Sequence, residues 1–348
     1  MPESPMTRRN MLAFTAAGAG MLLGSGVSPS DAWTMRKTWG EDFLTPWSPP
    51  ADRRRDLTPG PSPIRLSCVA YGLHYAKGAS IGEMVKKVRD MGYTAAEASD
   101  EWNEAADSDI RELHAALKQH DVSFYTLHLC VNNIHPDLSE RRKIQKRVAR
   151  MVETADRIGL SFVVSHTGSC AESPTKPHRD NWTKETWDAS VKAIRQILKD
   201  TSGSRVSLGI EALNPCNINN PRAHVRLRED VGDPRVKVTL DPTNMLNTAV
   251  YYRTTELIEE CFALLGEDIL YAHAKDVLWT PEMLPSFKWM IPGTGTMDYE
   301  TYLVHLSRMK NPRTLMLEFL SEGQYPQAKQ FIEETAARIG VKIYGAGK

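Results

Sequence analysis

Residues 254–276, TTELIEECFALLGEDILYAHAKD, carry a helix and then a strand in a single line of sequence. Leu257, Ile258, Cys261 and Leu265 fall on one face of a helix of period 3.6. ILYAHAKD (269–276) follows as a short, mostly apolar run that turns polar only at its end. A helix that leads straight into a strand with few charges is half of a βαβ unit. Such strands are buried on both faces of a parallel sheet.

The same unit recurs on both sides. Strand-like runs stand at 64–71 (IRLSCVAY), 94–99 (TAAEAS), 122–129 (VSFYTLHL), 161–166 (SFVVSH), 206–213 (VSLGIEAL), 236–241 (VKVTLD) and 315–320 (LMLEFL). Between them Ile81, Met84, Val85, Val88 and Met91 line one helical face, and Ile144, Val148, Met151, Val152, Ala155 and Ile158 line another. Gly92 and Gly159 stand where those helices must stop. Eight such units predict an α/β fold, a single-domain (β/α)8 TIM barrel over residues 64–348. The competing open sheet needs a GxGxxG after its first strand, and Tyr71-Gly72-Leu73-His74 is not one.

Ahead of the barrel, residues 1–32 read as an export signal of the twin-arginine type. Arg8-Arg9 precedes an uncharged, Ala- and Gly-rich stretch that runs up to Asp31. Residues 33–63 are rich in proline and aperiodic, and they read as an extended tether. The expected location is therefore the periplasm. The chain has 348 residues, with 43 basic and 43 acidic side chains. That balance offers no basic excess for phosphate neutralisation, so no nucleic-acid partner is expected. No apolar run beyond residue 30 is long enough for a membrane span, and none is expected in the mature protein. The composition leaves room for a homo-oligomer. Five scattered cysteines form no CxxC pair and no disulfide framework.

In a barrel of this kind chemistry sits at the C-terminal ends of the strands. Read in order, those ends carry His128, His166, Glu211, Asp241 followed by Asn244, His273-Ala274-Lys275-Asp276, and Glu318. Each residue alone also reads blandly, as a buried ion-pair partner, a turn former or a core histidine. A carboxylate among apolar strand residues is expensive to bury unless it is paired or bound to a metal. Glu211, Asp241, His273 and Glu318 on four successive strands point to one divalent cation. Three oxygen donors and one imidazole suit Mn²⁺ or Mg²⁺, with Co²⁺ and Zn²⁺ also compatible.

IEALN, LDPTNM, YAHAKD, PGTG and LMLEF, in this order over residues 64–340, resemble the xylose isomerase-like TIM-barrel superfamily. The resemblance implies that Glu211, Asp241, His273 and Glu318 bind one metal. It also implies that Glu211 and Glu318 flank the substrate as a catalytic acid–base pair. The DNA-repair branch of that superfamily would place a His where Asn244 stands and an Asp-x-His where Phe287-Lys288-Trp289 stands, so its three-metal site is not expected.

The expected function is a divalent-metal-dependent sugar isomerase or epimerase. It would transfer a proton through a metal-bound enediolate of a non-phosphorylated sugar or polyol derivative. A lyase, dehydratase or hydrolase acting on a keto-sugar or glycoside would use the same site, and a non-catalytic carbohydrate-binding barrel is a third reading. His128, His166, Asn244, Lys275 and Asp276 are expected on the substrate side, with Lys275 facing the enediolate charge. Trp102, Trp279, Phe287 and Trp289 are candidates to stack on a sugar face.

Overall fold

A computed structural model describes residues 56–69, 80–280, 282–310 and 314–345. The Arg8-Arg9 stretch lies outside them. Eight parallel strands close into a barrel: β1 (Arg65–Val69), β2 (Ala95–Ala98), β3 (Ser123–Leu129), β4 (Phe162–Ser165), β5 (Ser207–Glu211), β6 (Val236–Leu240), β7 (Ile269–Ala274) and β10 (Thr314–Leu317). The last strand pairs with the first, Arg65 opposite Thr314 and Cys68 opposite Leu317. The (β/α)8 expectation therefore holds.

Helices α1 (Ile81–Asp90), α2 (Asp107–His120), α3 (Leu138–Ile158), α4 (Lys184–Asp200), α5 (Pro221–Val231), α6 (Thr254–Leu265), α7 (Tyr299–Arg308) and α8 (Tyr325–Arg338) pack around the ring. The faces read from period 3.6 are the buried ones: Ile81, Met84, Val85 and Val88 on α1, and Leu257, Ile258, Cys261 and Leu265 on α6. Caps fix where helices begin. The Asp137 carboxylate accepts from the Glu140 amide at the start of α3, and Asn220 accepts from Ala223 at the start of α5. The α3 helix ends at Gly159, in the left-handed region at φ 86°.

Strand alternation sorts the side chains. Leu208, Ile210, Val238, Leu240, Ala272, Ala274, Leu315 and Leu317 face outward into the layer between strands and helices. The intervening positions face the barrel axis. There Val69, Phe162, Val164, Tyr271 and Met316 form a separate buried cluster, with the Tyr271 hydroxyl donating to Ser67 Oγ at 2.9 Å. This cluster is the floor of the site. One step further along β4, β7 and β10 come His166, His273 and Glu318, with Glu211 and Asp241 at the same level at the ends of β5 and β6.

Two features depart from the sequence reading. The last residues of the expected tether are docked: Gly60 N donates to Ser307 Oγ at 2.7 Å, and the Arg308 guanidinium donates to Thr58 O at 2.9 Å and pairs with Asp56 at 2.8 Å. The seventh strand ends at Ala274 rather than Asp276. There a short antiparallel hairpin begins, β8 (Asp276–Trp279) with β9 (Phe287–Met290). Among the described residues no helix is long and apolar enough to cross a membrane.

Candidate metal centre

Glu211, Asp241, His273 and Glu318 come from four strands that are neighbours around the ring, β5, β6, β7 and β10. One donor atom from each lies within 4.8 Å of all the others. His273 Nδ1 stands 3.1 Å from Glu318 Oε2, 3.4 Å from Glu211 Oε1 and 3.7 Å from Asp241 Oδ2. No hydrogen bond reaches His273 Nε2, and Oε2 of Glu211 has only the two histidine nitrogens near it. Buried polar atoms are normally satisfied. Three buried carboxylates and one imidazole converging on one point fit a divalent cation.

Lys275 is the resident cation of this cluster. Its ammonium lies 2.6 Å from Glu318 Oε2 and 3.4 Å from Glu211 Oε1, and it contacts Asp241 Oδ2. Burial alone would push these carboxyls up, but the charges of Lys275 and His273 outweigh it. Glu318 falls to about 2, and Glu211 and Asp241 are held well below the usual carboxylate range. Burial acts on Lys275 and His273 in the opposite sense and is likewise overcome: the facing carboxylates hold both well above their ordinary values.

The carboxylates are braced from behind. Asp241 accepts from the Thr243 and Asn244 amides at 3.1 and 3.3 Å. Asn244 Nδ2 donates to Glu211 Oε1 at 2.7 Å. Glu211 Oε2 faces His128 Nε2 at 3.3 Å and His166 Nε2 at 3.7 Å, and the two histidines approach each other at 3.2 Å. Burial works against protonating His128, yet Glu97, 3.4 Å from its Nδ1, raises it. His166 is raised against burial beside Cys130. Glu97, which the sequence reading did not select, thus anchors the histidine pair. Its short strand TAAEAS carried the only available signal, one buried carboxylate among alanines.

A cavity of about 480 Å³ opens above the cluster. His128, His166, Glu211, Asn244, Lys275 and Glu318 line it, as do Phe287, Trp289 and Phe319. Asp241 and His273 lie beneath, fully buried. Asp276 stands apart from the other expected substrate-side residues. Its carboxylate accepts four backbone N–H groups, from Val277, Gly293, Gly295 and Met297, at 2.8–3.0 Å. Burial pushes this carboxyl up against the pull of those donors. Gly295 is required there, because a Cβ would lie 2.3 Å from Asp276 Oδ1. Trp102 is likewise away from the cavity, fully buried and packed at a tilt on Phe124.

Residues 85–338 match the family model described as the xylose isomerase-like TIM barrel. No curated protein matches the chain. Among solved structures, the fold is similar to a xylose isomerase-like TIM barrel protein from Mycobacterium smegmatis in complex with magnesium (TM-score 0.59, 15% identity, 79% of this chain and 97% of that one). It is also similar to the D-psicose 3-epimerase of Clostridium cellulolyticum H10 with D-tagatose (0.60, 14%, 80% and 100%). A third likeness is to the IOLI protein with a bound zinc atom (0.58, 16%, 79% and 98%).

Proposed function

The chain belongs to the xylose isomerase-like TIM barrel family, and on that premise we propose that it is a divalent-metal-dependent sugar isomerase or epimerase. One observation carries the reading. Of the four converging groups, only Glu211 and Glu318 line the cavity, whereas Asp241 and His273 are buried behind them. Four ligands suffice to hold an ion, and two carboxylates facing a substrate are what a proton transfer needs. The similarity to a sugar 3-epimerase and to barrels that bind magnesium or zinc supports the same reading.

A divalent ion held by Glu211, Asp241, His273 and Glu318 would polarise a carbonyl and the hydroxyl beside it, acidifying the neighbouring C–H. Glu211 and Glu318 then divide the work. One removes the proton from carbon, and the other returns a proton. Return to the same carbon epimerises; return to the adjacent carbon isomerises. Both glutamates are kept ionised by His273 and Lys275, so either can accept the proton from carbon, and the one that returns a proton first takes it from the substrate hydroxyl or from water. The amide of Asn244 fixes one oxygen of Glu211, which leaves the other toward the cavity side of the histidine pair. His128 and His166 are placed to donate to substrate hydroxyls.

The loop after the seventh barrel strand supports a non-phosphorylated substrate. Barrels commonly bind phosphate with backbone N–H groups of the loops after strands seven and eight. Here Gly293, Gly295 and Met297 spend those donors on Asp276.

A second reading rests on the histidine pair. Two imidazoles 3.2 Å apart beside Glu211 can share one proton and deliver it to a departing hydroxyl or alkoxyl, which would make the enzyme a lyase, dehydratase or glycoside hydrolase on a keto-sugar. Incubating the Mn²⁺-loaded protein in D₂O with free ketoses, aldoses and keto-sugars separates these outcomes by mass. Gain of one deuterium at unchanged composition is expected for an isomerase or epimerase, and loss of water marks elimination. Absence of solvent deuterium from every sugar, with metal demonstrably bound, would overturn the proton-transfer reading.

A further inference from the structure

Trp289 on β9 and Phe319, just beyond β10, lie with their rings almost parallel, 10° apart at a centroid distance of 5.5 Å. Both line the cavity that holds Glu211 and Glu318. Mutual packing does not explain them, because Trp289 remains 51% and Phe319 63% exposed. Clustered apolar surface of this kind on a cavity mouth is characteristic of a ligand contact.

The backbone makes the same point independently. Phe319 sits at φ 57°, in the left-handed region that a bulky L-residue rarely adopts. Strain of this kind is held at functional sites when the surrounding structure enforces it. Here it sits directly after the candidate ligand Glu318, and the Phe319 ring lies over the mouth against Trp289. The ring centroid of Phe319 is 4.7 Å from the Lys275 ammonium, and that of Trp289 is 5.7 Å away. The two rings thus stand on the same cavity as the glutamate pair, beside Lys275.

The ledge is rigidly mounted. Tyr251 packs edge-on against Trp279 at 4.8 Å and against Phe287 at 5.7 Å, which braces the hairpin from one side. Asp276 ties the root of the hairpin to the 293–297 loop. Beyond the glutamates and histidines the lining continues as Leu213, Pro215, Leu246 and Val277. A cavity of about 480 Å³ has room for a sugar together with a ring beside it.

We propose that Trp289 and Phe319 form a subsite for a flat, apolar aglycone, so that the substrate is a sugar carrying an aromatic ring in glycosidic linkage. The proposal rests on the glutamate pair being the place of chemistry. A glycoside has no carbonyl at its anomeric carbon, so the carbonyl that the pair acts beside lies elsewhere on the sugar ring. Glycosides without that ketone bind without reacting and serve as unreactive probes.

Isothermal titration of the full-length, Mn²⁺-loaded protein with phenyl and methyl β-glycosides of glucose and galactose, and with cellobiose, tests the subsite. The phenyl glycoside should bind about tenfold more tightly than the methyl glycoside of the same sugar, the scale of one good ring contact. Trp289→Ala and Phe319→Gly should each reduce that ratio to about twofold or less. Glycine keeps the left-handed backbone and removes only the ring, so Phe319→Gly reads the contact without misfolding. Equal affinity for phenyl and methyl glycosides overturns the proposal. So does a preference that survives both substitutions, tighter binding of cellobiose than of the phenyl glycoside, or no binding of any probe. Deuterium exchange on keto-sugars keeps the two readings apart. Exchange without ring preference removes only the ledge, and ring preference without exchange removes only the glutamate chemistry.

Discussion

Lys275 draws on the same carboxylates that would hold a divalent cation, so ammonium and ion compete for one seat. Lys275→Met should therefore act in two directions. In chelator it removes the one ammonium that faces all three buried carboxylates, and losing one partner of a buried ion cluster costs about 3–5 kcal/mol, so the melt should fall clearly. With Mn²⁺ present the melt should recover and the ion should bind more tightly than in wild type. Unchanged melting in chelator together with unchanged Mn²⁺ affinity by titration calorimetry would place the ammonium elsewhere in solution. The four candidate ligands separate by role. Asp241→Ala and His273→Ala should lose metal and turnover together, whereas Glu211→Gln and Glu318→Gln keep an oxygen donor but cannot shuttle a proton. Turnover in the glutamine variants should drop at least ~10²-fold with metal partly retained. Near-normal turnover in either variant would make that glutamate structural. At this scale the sequence was informative because strand alternation aims alternate residues at the axis, so a carboxylate at a strand end has one place to go. Asp276 was not legible. It adjoins Lys275 in the chain but turns to donors at residues 293–297, a loop closure that no local pattern encodes.

The β8–β9 hairpin is the element that periodicity missed. Its strands are four residues each, with exposed apolar side chains on β9 and at the tip instead of a clean alternation. Such a segment reads as loop, and it forms because its root is anchored rather than because its strands are strong. Helices fared better, since their apolar faces span several turns. The α5 helix carries a testable consequence of burial. His224 is fully buried, its Nε2 lacks a hydrogen-bond partner, and burial together with Arg228 pushes it down to about 3. An unfolded histidine titrates near ~6.5. The folded state thus keeps this ring neutral while the unfolded chain takes up the proton. The stability it confers is complete above about pH 6.5 and falls toward pH 3, by about 1.4 kcal/mol per pH unit. Between pH 7 and pH 5, wild type should lose about 2 kcal/mol more than His224→Leu, as measured by urea unfolding. Parallel losses in the two proteins would show that the ring is protonated inside the fold.

At the scale of the molecule, the eightfold recurrence of strand and helix was plain in the sequence because each unit carries its own period. Closure of the ring was not visible residue by residue and came from counting units against the size of a barrel. The junction ahead of β1 was read as free chain, since proline-rich segments show no period; its end is nevertheless bound to α7 through backbone and Arg308 contacts that sequence pattern does not register. Truncation separates the two parts. Removing residues 1–55 should leave the thermal midpoint unchanged. Removing 1–60 should cost about 2 kcal/mol, a few contacts at about 0.5–1.5 kcal/mol each. For a domain of this size that lowers the midpoint by roughly 4–8 °C. Identical melts for both truncations would show that the docked segment contributes nothing.

The ring also has a seam. Beside the β1–β10 pairing, Ile64 bridges Ile343 in parallel, with Ile64 N donating to Lys342 O and Tyr344 N donating to Ile64 O, both at 2.8 Å. The two extremities of the barrel are thus neighbours, and which strand comes first is an accident of where the polypeptide is cut. A short linker from Tyr344 to Asp56, with new termini opened at the exposed Ser202–Gly203 turn on the face opposite the metal centre, keeps every strand pairing. Such a circularly permuted chain should retain the cation site, because Glu211, Asp241, His273 and Glu318 depend on the order of strands around the barrel and not on their order along the backbone.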